Sequence, residues 1–305
     1  MTEIRKVPAS AGARWLLDGV AIWRRSPLRL AQLGMLFGMT VMLGVALSAL
    51  NPALGMILQL VIMLLVPVMM GGLIWAVREA EQGGQPRPDN LLEGTREGRL
   101  PHLMLAVLPY FVAGIALGIV QLLLIGSDGV QRWLDVQNEL NQIQASGQAV
   151  SPERMYELAA TLPVWRTLLW IALSLLTTLA VALMLALMLP QVMFQRRRGT
   201  DALLRSFRSG LANLPAMAVF YASVLITLVA LNLTAFVLLL VCSLILGPAL
   251  SLVLMLLFYT GTVLPVIAAA TYAAWKDLFA NGQDRSPVPP PTPGTPGGNS
   301  GVIEV

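Results

Sequence analysis

Two stretches of this chain carry no charged side chain at all: the 48 residues between Arg29 and Arg78, and the 67 from Ser209 to Trp275. At 1.5 Å per residue, the first alone would make a helix roughly 70 Å long, about twice the hydrocarbon thickness of a bilayer. Each run must therefore fold back once. Asn51-Pro52 and Gly247-Pro248 are the strong turn signals near their middles. Two helical hairpins follow, with spans at about 30–50, 53–77, 214–244 and 249–274.

The rest of the chain supplies two more spans. Residues 100–127 are free of charge and give a third span at about 103–125, with Pro109 expected to bend it. Residues 167–195 are likewise uncharged and give a fourth at about 167–189. Between these two lies an outer segment, 127–163, in which Trp133, Val136, Leu140 and Ile143 recur at helical steps. Ser151-Pro152-Glu153 then starts a second amphipathic helix, with serine as N-cap and proline at the first helical position. The expected fold is all-α and polytopic, a six-span membrane domain over residues 1–279. The proline- and glycine-rich tail, 280–305, is expected to be disordered and cytoplasmic.

Composition agrees. Only 12 % of the 305 residues are charged and the mean hydropathy is +0.73. A soluble domain carries about 25 % charged residues. Cys242, the one cysteine, rules out an intramolecular disulfide and any cysteine metal cluster. The N-terminal ten residues have no apolar core, so they do not read as a cleavable signal peptide.

The basic residues orient the spans. The N-terminus, the second-to-third and fourth-to-fifth connections and the C-terminal part hold 17 of the 20 lysines and arginines. The opposite side has Arg132, Arg154 and Arg166. The positive-inside rule then places both termini in the cytoplasm and the segment 128–157 outside.

Ahead of each hairpin stands a Leu-Leu pair, a small residue two positions on, a basic residue, and a proline opening the apolar run. The copies are Leu16-Leu17, Gly19, Arg24-Arg25 and Pro27; Leu91-Leu92, Gly94, Arg96 or Arg99, and Pro101; and Leu203-Leu204, Ser206, Arg208 and Pro215. Such a segment suits a short cytoplasmic helix lying in the membrane interface. The even-numbered spans share a second feature, a proline toward the cytoplasmic end: Pro67, Pro190 and Pro265. These are candidate helix bends. They read either as a ring of three bends around a cavity or as the prolines common in membrane helices.

No acid, lysine or arginine lies at mid-membrane depth, which argues against an ion-coupled carrier. Gln59, Gln121 and Asn232, one per hairpin, are candidate polar residues of a cavity, with inter-helix hydrogen bonding as their ordinary role. Arg196, Arg197, Arg198, Arg205 and Arg208 form a cationic cluster suited to anionic lipid, and they also serve as the topology signal. Gly34 with Gly38 and Gly114 with Gly118 are GxxxG pairs that favour close helix packing inside the bundle. His102, the only histidine, lacks neighbouring carboxylates for a metal site. No serine sits in a nucleophile elbow. Neither a cofactor nor nucleic acid is expected, because no folded basic surface interleaved with aromatics is present.

The entry Val7-Pro8-Ala9, Trp15-Leu16, Gly19 and Ile22-Trp23-Arg24-Arg25-Ser26-Pro27, with the exit Tyr272-Ala273-Ala274-Trp275-Lys276-Asp277-Leu278-Phe279, resembles a proteobacterial family of six-helix inner-membrane proteins of unassigned function, named after a locus tag. The resemblance covers about residues 5–279. The chain is also loosely similar to the membrane portion of some glycerophosphodiester phosphodiesterases, without their catalytic domain. The resemblance implies fold and an inner-membrane location, and it carries over no catalytic residue. The expectation is a non-catalytic inner-membrane protein that organises lipids or membrane partner proteins. The second reading is a transporter of a small apolar or amphiphilic solute.

Overall fold

The computed structural model describes residues 4–50, 52–146, 151–160 and 162–279. The turn residue Asn51 and the tail beyond residue 279 lie outside them. Among the described residues the chain is helical and contains no strand. The helices are α1 (Ala11–Trp23), α2 (Pro27–Leu50), α3 (Pro52–Glu81), α4 (Leu100–Met104), α5 (Leu108–Leu124), α6 (Gly126–Ala145), α7 (Pro152–Ala160), α8 (Val164–Ala186), α9 (Met188–Gln195), α10 (Gly199–Ala212), α11 (Leu214–Leu246) and α12 (Pro248–Phe279). Two 3₁₀ segments, Pro88–Thr95 and Leu105–Val107, complete the order.

Six segments are long and apolar enough to cross a membrane: Pro27–Ser48, Leu54–Glu81, Leu100–Leu124, Val164–Gln195, Leu214–Leu246 and Leu250–Phe279. Their outward faces carry leucine, isoleucine, valine and phenylalanine, a surface that only lipid solvates favourably. The chain is a multi-pass membrane protein. Prolines open several spans, where the missing N–H costs nothing: Pro27 in α2, Pro52 in α3 and Pro248 in α12. Gly247 closes α11 with φ 78°, a conformation that favours glycine, so the turn signal has a steric cause.

The spans pair as α2 with α3, α5 with α8, and α11 with α12. The three Leu-Leu segments dock on these pairs in a cyclic order. The segment Pro88–Thr95 packs on α3, α10 packs on α8, and α1 packs on α11 and α12. Each therefore sits on the hairpin that precedes it around the ring. The small residue of each motif makes the contact. A Cβ at Gly19 would lie 2.7 Å from the Ala270 nitrogen, and one at Gly94 would lie 2.9 Å from the Val68 carbonyl oxygen. Ser206 bonds into α8. The first leucine of each pair turns inward and the second stays exposed: Leu17 is 68 % exposed, Leu92 53 % and Leu204 48 %.

Pro67, Pro190 and Pro265 are all buried beside these contacts, but they act differently. α3 and α12 run unbroken through Pro67 and Pro265. The fourth span breaks at Leu187, between α8 and α9. There the Leu187 N–H donates to Ser206 Oγ at 3.0 Å, and the Ser206 hydroxyl donates to the Leu183 carbonyl at 2.8 Å. A side chain from α10 has been inserted into the helix ladder, one of the recognised causes of a kink. Gln191 Nε2 then donates to the Leu187 carbonyl at 3.0 Å.

The hairpins do not attach equally. α2 lies against α12 through Gly34, Gly38 and Gly261, where added side chains would meet Thr260, Pro265 and Met35. α5 has no buried residue, and a Cβ at Gly114 or Gly118 would meet nothing within 4 Å. Packing within the bundle thus accounts for the first GxxxG pair but not the second. The second hairpin meets the others chiefly through α4, α9 and α10. The pair α6 and α7 stays largely exposed. Arg154 bridges α7 to α6 by pairing with Glu139 at 2.5 Å, while Trp133 donates to Thr167 Oγ1 at 3.3 Å.

The structure changes three local expectations. The second interfacial segment is a 3₁₀ helix of eight residues. The third span is interrupted at Leu105–Val107, just ahead of Pro109, whose ring denies the Leu105 carbonyl its usual donor. The fourth span is broken rather than bent.

Candidate functional site

Two recesses lie toward the end of the bundle that carries the interfacial segments. The first is an apolar crevice of about 270 Å³ between α8 and α11. Met70 and Ile74 of α3 and Ala268 and Ala274 of α12 form its back wall; Leu185, Leu189, Met217 and Phe220 form its sides. Tyr221 reaches across to donate to the Ala182 carbonyl at 3.0 Å. The crevice exists because α8 ends at the Ser206 wedge, and because the second hairpin does not close against α11. With walls this apolar, the recess offers a methylene chain a favourable environment and gives an ion nothing to bind.

The second recess is polar, with a volume of about 320 Å³, between α1 and the ends of α3 and α12. Arg14, Asp18 and Arg25 come from α1 and its exit, Glu81 from α3, and Lys276 and Asp277 from α12. Glu81 accepts from Tyr272 Oη at 2.9 Å and from Lys276 Nζ at 3.0 Å. Asp277 accepts from Trp15 Nε1 at 3.2 Å and pairs with Arg5 and Arg14 at 3.5 Å. Arg25 donates to the Glu81 backbone carbonyl at 2.7 Å. Asp18 stands at the mouth with no ion pair or hydrogen bond among the described residues. Partial burial, reinforced by the charges of Asp277 and Glu81 and opposed by Arg14 and Lys276, pushes its carboxyl above the usual range.

Between the recesses the even spans converge on an aromatic cluster. Phe194 stacks on Trp75 with centroids 5.8 Å apart and lies 5.6 Å from Tyr272 and 5.0 Å from Trp275. Arg78 stands 5.0 Å over Phe194, and Arg99 stands 4.9 Å over Trp75. These rings close the bundle where its spans meet.

The residues singled out from the sequence fall as follows. The five arginines stay together around α9 and α10, but three are engaged, Arg197 through a hydrogen bond that its Nε donates to Gln195 Oε1 at 3.2 Å. Arg196 pairs with Glu97 at 2.8 Å, and Arg205 stands 5.0 Å over the Phe279 ring. Burial and the charge of Arg197 lower the pKa of Arg205. Arg198 and Arg208 are exposed. Pro67, Pro190 and Pro265 line neither recess. Gln59, Gln121 and Asn232 also line neither, and the structure does not gather them: Gln59 and Asn232 are exposed, Gln121 is half-buried, and Asn232 donates to Leu228 of its own helix. Cys242 is free and half-buried. No group of three metal-ligating side chains occurs among the described residues.

Sequence reasoning did not find the polar recess. Its members come from three elements, with Asp18 and Asp277 more than 250 positions apart and no motif to join them. Comparison with family models, curated proteins and solved structures finds no match for this chain.

Proposed function

We propose that this is a non-catalytic protein of the bacterial inner membrane, with both termini cytoplasmic, that organises lipids and through them membrane partner proteins. The observation that carries the reading is the apolar crevice between α8 and α11, open among lipid-facing helices and walled by methionine, leucine, alanine and phenylalanine. A lipid acyl chain is the ligand whose chemistry fits it. Arg198 and Arg208, exposed at the same end, supply attraction for anionic headgroups of about 1 kcal/mol each. The absence of charge at mid-membrane depth supports a protein that holds lipid rather than one that drives ions.

The cyclic docking of the Leu-Leu segments supports a further part of the reading, three diverged copies of one unit: an interfacial segment followed by a hairpin. Each small residue meets the proline-bearing span of the preceding hairpin, Ser206 doing so on α8, ahead of the helix that carries Pro190, so two features that recur in the sequence lie on the same spans.

Native mass spectrometry of the protein released from its own membrane tests this. Retained lipid is the expected result, and replacing Arg196, Arg197 and Arg198 with glutamine should reduce the anionic share. A bare monomer, or one holding a small metabolite, overturns it in favour of an amphiphile transporter. The broken helix at Leu187 is the observation on the transporter's side, because discontinuous spans often build transport sites. Under that reading, Pro67→Ala, Pro190→Ala and Pro265→Ala abolish function while insertion persists.

A further inference from the structure

The polar recess holds three basic and three acidic side chains, so its wall is electrically balanced. The charges are not all satisfied by one another. Glu81 is matched by Lys276, and Asp277 by Arg14 and Arg5. Among the described residues Asp18 makes no ion pair, though the charges of Arg14 and Lys276 act on it, and the guanidinium of Arg25 reaches only a backbone carbonyl. These two lie seven positions apart, on one face of α1 and its exit, roughly 10 Å along the helix axis. Both are exposed. Leu17, beside Asp18, is exposed and apolar, which keeps the recess at headgroup depth.

We propose that this recess binds a phosphoethanolamine group, its ammonium on Asp18 and its phosphate on Arg25. An anionic headgroup alone would leave Asp18 facing a second negative charge, and a simple cation would leave Arg25 unmatched. A zwitterion whose poles are separated by two carbons satisfies both, with the two side chains extending to meet it. A primary ammonium donates hydrogen bonds to the carboxylate, whereas a trimethylated one cannot. Guanidinium and phosphate make the paired contact that arginine favours. The elevated carboxyl pKa of Asp18 fits a group that gains from an incoming cation. The inference rests on the lipid reading only for the source of the group, which is either a membrane phospholipid or the free phosphomonoester.

The test is native mass spectrometry of the full chain in nanodiscs of equal phosphatidylethanolamine, phosphatidylcholine and phosphatidylglycerol, resolving both total lipid and lipid class. The wild type should retain phosphatidylethanolamine preferentially. Asp18→Asn and Arg25→Gln should each cut that preference about tenfold, the cost of one charged contact, and Asp18→Glu should keep it. Phosphatidylglycerol should be unaffected by Asp18→Asn. Bound lipid with no preference for ethanolamine over choline, or a preference indifferent to both variants, overturns the site and leaves the crevice reading standing. No bound lipid at all overturns the crevice reading instead. In that case, titrating O-phosphoethanolamine into lipid-depleted protein decides the source: binding that Asp18→Asn abolishes assigns the site to the free compound, and no binding removes the proposal.

Discussion

The contact between the first and third hairpins and the attachment of the second are built from the same sequence materials, with opposite results. α2 and α12 meet backbone to backbone, because Gly34 and Gly38 leave room for Thr260 and Pro265. α5 carries the same glycine spacing at Gly114 and Gly118 and meets nothing there. α12 runs through Pro265 as one helix, while the fourth span, with Pro190, is parted by the Ser206 hydroxyl. A spacing motif states what a helix face permits. Which face is used depends on the partner that the connecting segments bring to it. Here α1 clamps α12 beside α2, and α10 holds the C-terminal end of α8.

The largest expected effect separates the two glycine pairs. Gly34→Val drives a side chain into the Thr260 carbonyl and should cost about 3 kcal/mol, the upper range for overpacking. Gly114→Val should change stability by less than about 0.5 kcal/mol, as exposed substitutions do. Thermal unfolding in detergent compares them directly. Equal losses would mean that the α5 face is covered in the membrane, and the contrast between the hairpins would disappear.

Next comes the wedge. Ser206→Ala removes the group that both accepts from Leu187 and donates to Leu183, and should cost about 1–3 kcal/mol if the break persists. Ser206→Gly copies the other two motifs and lets Leu187 bond Leu183 again, so its cost should be smaller and α8 should straighten into α9. Spin-label distances between exposed positions on α8 and α10 read the straightening. An unchanged distance would show that Pro190, not the serine, holds the break open.

The aromatic cluster gives a third contrast, between hairpins that converge and hairpins that diverge. Phe194→Ala removes the ring at its centre and should cost about 3–5 kcal/mol if the site cannot collapse, and less if Trp75 and Trp275 close over the gap. Tryptophan emission moving to longer wavelength would distinguish an opened cluster from a collapsed one.

How much of this was legible in the sequence depends on what each residue's signal encodes. The six spans and the turn at Gly247 were plain, because lipid imposes length and charge limits and a positive φ favours glycine. The Leu-Leu segments were plain as motifs; their cyclic docking was not. In a span apolar all round, no periodic polar face marks the buried side, so Gly34 and Gly114 looked alike. Ser206 was read as a small residue, and its hydroxyl chemistry emerged only once Leu183 and Leu187 were beside it. The polar recess was hidden for a simpler reason: its charges belong to α1 and to the ends of two spans, far apart in the sequence, and each group alone looked like ordinary helix-surface or helix-terminal charge.

The smallest effect concerns Asp18, and its sign follows from its surroundings. Its folded-state pKa is raised, above all by desolvation, so ionising it is harder in the folded protein than in the unfolded chain. The stability linked to its protonated form is fully present below the ordinary carboxyl value of 3.8 and is lost as pH rises through the higher folded value. At neutral pH the ionised group is therefore a mild burden, discounted further because Asp18 is exposed at the recess mouth. Asp18→Asn should raise the melting temperature slightly at pH 7, with the gain shrinking toward pH 4. Bound phosphoethanolamine should produce the same flattening in the wild type by giving the carboxylate its missing cation. A variant less stable than wild type at pH 7 would mean that Asp18 is already matched by Arg14 and Lys276. The recess would then be closed electrostatically, and the difference between its satisfied and unsatisfied acids would vanish.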